Sequence, residues 1–253
     1  MDETAVRDEA ARAASEAALR ILPRHRLAVE ILAPPGATLP WGWRDAGQAV
    51  AYLLMDRAGD AVHGARYGLF TFSLLPREPI FGAAGLRSAC GRWTFRLASA
   101  RREALEAAEA TMAHPAWPGT RVLLALLGPR AELGAQWEPL AVGRRVFRAQ
   151  PMLMFAREGE GPWAFLPPEH ERFARAVAGA LARRWEHLFG SRWAGGIGFS
   201  FCGEPRQKLI QFRGRGLVAW ARAVRLEAPE PMLLFAQAVG LGQTPSAGLG
   251  MIL

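Results

Sequence analysis

Residues 239–253 carry the sequence VGLGQTPSAGLGMIL. Two G-x-G pairs, at 240–242 and 248–250, flank a short polar turn in this stretch. Glycine has no Cβ, so such a turn lets backbone N–H groups come close to a phosphate. The two commonest phosphate loops do not fit, because the glycines do not open a helix inside a βαβ unit and the single lysine, Lys208, is not part of a Gly-Lys-Ser/Thr sequence. We predict a glycine loop between a short helix (232–238) and a strand (249–253).

The loop offers an anion both backbone and side-chain donors. Its glycines would contribute N–H groups, and the polar residues between them would add side-chain donors. The residues predicted to bind RNA phosphates in this loop are Gly240, Gly242, Gln243, Thr244, Ser246, Gly248 and Gly250.

An unopposed basic stretch precedes the loop. The chain has a formal net charge of +8, and residues 206–226 contain six cations and no acid. A solvated strand face is one interpretation, and a phosphate-contacting surface is the other. The glycine loop that follows favours the second interpretation. We therefore predict that Lys208, Arg213 and Arg215 follow an RNA backbone or the groove of a stem.

The order of the predicted elements points to one folding unit used twice. Strands are predicted at 26–32, 67–75, 92–97 and 120–127, and helices at 44–57 and 100–112. This β-α-β-β-α-β order is typical of the ferredoxin-like unit. A second cycle has a strand at 146–157, a helix at 168–189, strands at 197–201, 208–212 and 216–226, a helix at 231–238 and the strand after the loop. A different pair of α+β domains would have the same content.

The predicted fold class is α+β, with tandem ferredoxin-like (RRM-like, βαββαβ) domains and a C-terminal glycine-rich loop. The predicted segments are an N-terminal helical extension (1–24), an N-terminal ferredoxin-like domain (25–129), a linker (130–143) and a C-terminal ferredoxin-like domain (144–253). The extension either packs on the body of the protein or projects from it. The sequence is also compatible with a longer polypeptide in which this chain is one domain.

Composition indicates a globular protein of the cell interior. Hydrophobic residues make up 51% of the chain and charged residues 21%, and no run of eighteen apolar residues occurs. Acidic residues precede any apolar stretch, so no signal peptide is predicted. The two cysteines, Cys90 and Cys202, are far apart and have no metal-ligand spacing. We expect a cytoplasmic protein with no metal, no cofactor and no membrane partner.

Two motifs closely resemble the RAMP superfamily of CRISPR-associated proteins, in particular its repeat-processing endoribonucleases. The glycine loop matches a family motif of the form G-h-G-x-x-x-S-x-G-h-G-h, in which h is apolar. The stretch 69–73, LFTFS, matches a family strand that follows a histidine and a short basic loop, here His63 and Arg66. Tyr52 follows Pro40 by twelve residues, as in the first helix of the family. The resemblance covers roughly residues 25–253.

The resemblance implies a metal-independent endoribonuclease that cuts precursor CRISPR RNA within the repeat. In such enzymes the ribose 2′-hydroxyl attacks the adjacent phosphodiester, which leaves a 2′,3′-cyclic phosphate and a 5′-hydroxyl. Histidine suits the proton transfer because its pKa lies near neutrality. His63 is accordingly expected to be general acid or general base, and Tyr52 to orient or deprotonate the 2′-hydroxyl. Arg66 is the cation nearest to the place where the family often has a lysine.

Two other functions are open on the sequence. The chain could be a non-catalytic RAMP subunit that holds guide RNA in an effector complex, or an unrelated RRM-like RNA binder. No RNP1 consensus supports the latter, and the pairing of His63 with Tyr52 ahead of the LFTFS strand favours the enzyme. The expected partner is CRISPR repeat RNA, and effector-complex or adaptation proteins are further candidates. Either a monomer or a homodimer is compatible with the sequence.

Overall fold

The computed structural model describes residues 13, 16–55, 69–112, 117–128, 131–157 and 163–253. Residues 16–21 are helical, and Ala18 and Leu22 are buried in the core of the C-terminal half. The described part of the predicted N-terminal extension therefore packs on the body of the protein.

The N-terminal half is built on a four-stranded antiparallel sheet. Its strands are β1 (His25–Leu32), β3 (Phe70–Pro76), β6 (Arg92–Ser99) and β7 (Glu132–Pro139), in the order β3-β6-β1-β7. A smaller sheet joins β2 (Thr38–Pro40), β4 (Pro79–Gly82) and β5 (Gly85–Ser88). Helices α1 (Arg44–Met55) and α2 (Arg102–Met112) pack against the large sheet, whose inward side chains include Leu27, Val29 and Phe95, and α3 (Pro118–Leu127) packs on α1 and β2.

Two sequence predictions in this half are wrong. Residues 120–127, predicted as a strand, belong to helix α3, in which Leu123 and Leu127 are buried one turn apart. Leucine and alanine favour helix, and Pro118 begins it. The fourth strand of the sheet is instead β7, which lies inside the predicted linker 130–143 and pairs with β1 over its whole length. β7 is a mostly exposed edge strand, so no apolar alternation marks it in the sequence.

The C-terminal half repeats the topology around a second sheet. Its strands are β8 (Val146–Phe147), β11 (Gly198–Phe201) and β14 (Val224–Glu227), in the order β11-β14-β8. Residues 250–253 occupy the position of a fourth strand, next to the segment that follows β8, because they exchange backbone hydrogen bonds with residues 148–151. Two hairpins project from this half, β9 (Phe155–Arg157) with β10 (Trp163–Phe165), and β12 (Arg206–Phe212) with β13 (Arg215–Ala221). Helices α4 (Arg172–Phe189) and α5 (Glu230–Val239) supply buried residues to its core.

Both halves therefore have a sheet order in which the first and third strands are central, as in the ferredoxin-like unit. The predicted fold class, tandem ferredoxin-like domains, is confirmed.

A partly buried ion cluster connects the two sheets. The Glu138 carboxylate of β7 accepts hydrogen bonds from Arg26 Nε at 3.0 Å and from Arg96 Nε at 2.8 Å. Arg26 Nη1 also donates to the carbonyl of Ile252 in the C-terminal half, at 3.1 Å. Burial alone would raise the pKa of Glu138, but the hydrogen bond and charge of Arg96, together with those of Arg26, hold this pKa below its ordinary value of 4.5.

We expect Glu138→Gln to lower the free energy of unfolding at pH 7 by about 2 kcal/mol, the scale of a hydrogen bond to a charged group. Because the folded pKa is depressed, the stabilisation is present above pH 4.5 and is lost as the pH falls through the folded pKa. Urea unfolding from pH 7 to pH 3.5 should show the gap between wild type and variant closing below pH 4.5. Glu132→Gln, an exposed position on the same strand, is the control. A gap that is the same at every pH would contradict this account.

Candidate nucleic-acid interface

Tyr52 lies near the C-terminal end of α1, against the first residue of β3. The Tyr52 and Phe70 rings meet edge to face, with centroids 5.3 Å apart and planes at 79°. The chain between α1 and β3 contains His63 and Arg66, and both lie outside the described residues. The described residues on either side of that segment are Met55, which ends the helix that carries Tyr52, and Leu69, which precedes the Phe70 that Tyr52 contacts.

One face of α1 carries Asp45, Gln48 and Tyr52. Their spacing of three and then four residues places them in a row along the helix, about 10 Å long at 1.5 Å per residue. Asp45 accepts the backbone N–H of Arg213 at 2.9 Å, and Gln48 Oε1 accepts Arg213 Nη2 at 3.0 Å. Gln48 Nε2 donates to the Ser246 carbonyl at 2.8 Å. Tyr52 thus lies on the same helix face as the two residues that bind the β12–β13 hairpin and the glycine loop.

The tip of the hairpin is a tight turn. Arg213 and Gly214 connect β12 to β13 and both have positive φ, 49° and 69°. Two such residues form the turn that matches the twist of paired strands, and glycine accepts this conformation without strain. This turn directs the Arg213 backbone N–H to Asp45.

The three hairpin cations predicted from the sequence are all exposed. Arg213 is held by α1, whereas the side chains of Lys208 and Arg215 make no hydrogen bond or ion pair with any described residue. Cations free of acidic partners keep their full attraction for an anionic backbone. The structure thus leaves two cations available along the hairpin and a third at its tip.

The glycine loop uses most of its backbone N–H groups internally. Those of Leu241, Gln243, Gly248 and Gly250 are donated to the carbonyls of Gly250, Leu153, Pro245 and Pro151, at 2.8 to 3.0 Å. The Gly240 N–H likewise closes helix α5 on the Ala236 carbonyl. These groups are not free to bind a phosphate in this conformation, so Gly240, Gly248 and Gly250 lack the free N–H donors that were expected of them from the sequence.

The polar side chains of the loop differ in what they do. Gln243 is bonded to the backbone of Phe155, whose N–H it accepts at 2.6 Å and to whose carbonyl it donates at 3.3 Å. Thr244 is exposed, and its hydroxyl donates to the Gln243 carbonyl at 2.7 Å. Ser246 is half-buried beside Gln48. Thr244 and Ser246 are the predicted loop contacts that remain at the surface.

The loop also contacts strand β3. Thr71 Oγ1 donates to the Pro245 carbonyl at 3.4 Å, and a Cβ on Gly248 would lie 2.8 Å from the Phe72 ring. β3 is an outer strand of its sheet, and the loop contacts the side chains of two of its residues. The glycine loop therefore packs against the strand that follows the His63 segment.

Two buried arginines hold the loop, and sequence reasoning missed both. Arg184 of α4 donates to the carbonyls of Gly240, at 2.9 Å, and of Gly242. Arg44 of α1 donates from Nε to the Gly248 carbonyl at 3.4 Å, and its guanidinium lies 4.8 Å from the Trp43 ring centroid. Burial lowers the pKa of Arg44 to about 10, so it is still a cation at neutral pH.

Helical periodicity could have found these arginines. On α4 the buried positions 177, 180, 181, 184 and 185 form one stripe, so Arg184 falls among apolar residues. On α1, Arg44 lies three residues before buried Gly47 and seven before buried Ala51. An arginine on the apolar stripe of a helix needs internal acceptors, and the loop carbonyls supply them.

Among the described residues, no three His, Cys, Asp or Glu side chains are arranged so that they could hold a metal ion. None of the helices described is both long enough and apolar enough to span a membrane.

Comparison with known proteins bears on the fold and the family. Residues 151–253 match the family model for the C-terminal part of CRISPR associated protein Cas6. No curated protein matches the chain in sequence.

Solved structures similar to this chain include a CRISPR associated protein Cas6 (TM-score 0.68, 16% identity), an RAMP protein that binds different RNA substrates (0.72, 16%), and the product of a Cas6-related gene from Pyrococcus furiosus (0.70, 13%). Each similarity covers 90% of this chain and 98% of the other. At these identities the structural likeness concerns the fold. Together with the family match, it confirms the resemblance to CRISPR-associated RAMP proteins.

Proposed function

We propose, from the match of residues 151–253 to the family model for the C-terminal part of CRISPR associated protein Cas6, that the protein is an endoribonuclease that cleaves precursor CRISPR RNA within the repeat. The reaction is a metal-independent transesterification. The 2′-hydroxyl attacks the neighbouring phosphorus, the bond to the 5′-oxygen breaks, and the products carry a 2′,3′-cyclic phosphate and a 5′-hydroxyl. A proton leaves the 2′-oxygen and another is delivered to the 5′-oxygen, so the reaction needs an acid and a base but no oxidant.

The observation that supports this proposal is the shared face of α1. Tyr52 lies in the same row as Asp45 and Gln48, which bind the hairpin tip and the glycine loop. An RNA that follows the hairpin cations to the tip therefore reaches Tyr52 within about 10 Å. In this proposal the cleavage site and the binding surface are therefore adjacent.

The proposed catalytic roles follow the chemistry of each residue. His63 gives a proton to the leaving 5′-oxygen or takes one from the 2′-hydroxyl, and Tyr52 orients the 2′-hydroxyl. Arg66 stabilises the additional negative charge of the phosphorane. The edge-to-face contact with Phe70 holds the Tyr52 ring against β3, which supports a positioning task.

We propose that RNA backbone phosphates contact Lys208, Arg213 and Arg215, and that Thr244 and Ser246 add hydroxyl donors beside them. Gly240, Gly242, Gly248 and Gly250, with Gln243, shape the loop that carries these hydroxyls. Their internal bonds support this division of tasks.

The test is incubation of the protein with a labelled CRISPR repeat RNA from its own genome, in EDTA and in Mg²⁺. We expect one cut within the repeat at the same rate in both buffers, and a 5′-hydroxyl on the downstream fragment. Tight binding without cleavage would overturn the enzymatic proposal and favour the alternative, a non-catalytic RAMP subunit. A cut in Mg²⁺ alone would overturn the metal-independent mechanism.

A further inference from the structure

A depression with a volume of about 460 Å³ lies at the base of the β12–β13 hairpin, at the opposite end from the tip on α1. Three arginines line it, Arg148, Arg206 and Arg222, and no acidic residue does. The remaining lining residues are small: Ala149, Cys202, Ala221 and Ala223. We call this depression the arginine groove.

The groove brings together parts of the chain that are far apart in sequence. Arg148 lies beside the chain's last residue, with which it exchanges two backbone hydrogen bonds. Arg206 begins β12, and Arg222 follows directly after β13. All three side chains are exposed, so the groove is open to solvent.

One arginine of the groove is held in place. Arg222 Nε donates to the Cys202 carbonyl at 3.0 Å. Gly203 beside it has φ 95°, and a Cβ there would lie 3.0 Å from the Arg222 guanidinium, so a side chain at 203 would disturb this arrangement. Arg222 is thus preorganised, and its remaining N–H groups can serve a ligand.

The other two arginines have no charge partner. Neither Arg148 nor Arg206 makes a side-chain hydrogen bond or ion pair with any described residue. Glu204 is near in sequence but does not line the groove. Three guanidinium groups around one depression repel each other, and an anion bound between them replaces this repulsion with attraction. Guanidinium groups bind phosphate oxygens bidentately, so phosphate is the anion that suits the groove.

We propose that the arginine groove binds a backbone phosphate of the repeat RNA, away from the site of cleavage. This proposal rests on the proposed function for the identity of the polyanion. The strands of the hairpin are seven residues long, which separates groove and tip by about 20 Å. A stacked strand rises about 3.4 Å per nucleotide, so about six nucleotides separate the two contacts. Lys208 lies between them along β12.

The test compares Arg148→Gln/Arg206→Gln with Arg175→Gln/Arg183→Gln. The second pair removes the same charge from exposed positions on α4. All proteins carry His63→Ala, and binding of the labelled repeat RNA is measured from 50 to 300 mM KCl. Each lost phosphate contact lowers the slope of log K against log salt by about 0.7 to 0.9. We therefore expect a fall of about 0.7 to 0.9 for the groove pair, which loses one phosphate contact, and a change under about 0.3 for the control.

A second arm distinguishes a phosphate within the RNA strand from an unspecific anion site. Repeat RNAs are shortened one nucleotide at a time from each end. Truncation that removes the phosphate bound in the groove should weaken wild-type binding about tenfold. The same truncation should not change the affinity of the groove variant, because this variant has already lost the phosphate contact. Arg148→Lys/Arg206→Lys should restore most of the salt slope, which also shows that the site tolerates substitution.

Equal slopes for the groove and control pairs would overturn the proposal, as would parallel truncation profiles for wild type and groove variant. If the slopes are equal but the protein cleaves RNA in EDTA, the proposed function stands and only the proposed phosphate binding in the groove is rejected. If the groove variant has a reduced salt slope but the protein that retains His63 does not cleave the RNA, phosphate binding in the groove is supported and the proposed nuclease function is rejected.

Discussion

His63→Ala is expected to reduce single-turnover cleavage of repeat RNA by 10²- to 10⁴-fold, the usual contribution of a positioned acid or base, and to leave RNA affinity within about twofold. The reason is that imidazole exchanges a proton near neutral pH, which alanine cannot do. Binding depends on the hairpin cations and is not expected to change. The measurement is a rate at saturating protein in EDTA, paired with an equilibrium binding curve at the same salt concentration.

His25→Ala is the matched control. His25 is exposed at the start of β1, and no side-chain hydrogen bond of His25 to another described residue occurs. This variant should cleave at the wild-type rate. If His63→Ala cleaves as fast as His25→Ala, His63 has no catalytic role. If it loses affinity in step with rate, His63 is a binding residue instead.

Gly250→Ala is expected to lower the free energy of unfolding by about 3 to 5 kcal/mol, the sum of a left-handed backbone cost and an overpacking cost. Gly250 has φ 67°, and a Cβ there would lie 2.0 Å from the Leu241 carbonyl oxygen. The backbone would have to move, and with it the paired hydrogen bonds of Leu241 and Gly250. For a chain of this size the melting temperature should fall by about 10 °C.

Gly143→Ala separates the two causes of this destabilisation. Gly143 has φ 71°, almost the same as Gly250, but no atom lies within 4 Å of the position of its Cβ. It should therefore show the left-handed cost alone, about 1 kcal/mol. Equal losses at the two positions would contradict close packing of the glycine loop. Thermal unfolding followed by circular dichroism measures both variants.

The loop contact with α1 links this stability effect to the proposed function. Gly248 and Ser246 present carbonyls to Arg44 and Gln48, and Gln48 also holds Arg213 at the hairpin tip. Displacement of the loop would shift the position of α1 relative to the hairpin. We therefore expect the glycines to matter for RNA binding through geometry and only indirectly through phosphate contact.

Local patterns were sufficient for most of the elements. The helix at α4 and the strands at β1, β3 and β6 follow from apolar periodicity, and the glycine motif with LFTFS indicated the family. Periodicity failed where two states share one pattern, as in α3, since a short run of leucines suits a buried strand or a helix equally. It also failed at β7, which is a largely polar edge strand and carries no apolar signal.

By itself, the sequence determined most of the elements, the tandem ferredoxin-like fold class and the residue types available for RNA cleavage, because these depend largely on neighbours within a few positions. Only the tertiary structure decided how the glycine loop is used. Most of its N–H groups are bonded within the protein, and its carbonyls receive Arg44 and Arg184 from two different helices. The contact of Arg213 with Asp45 joins residues 168 positions apart. Such pairings depend on how two domains pack, and no local pattern encodes them.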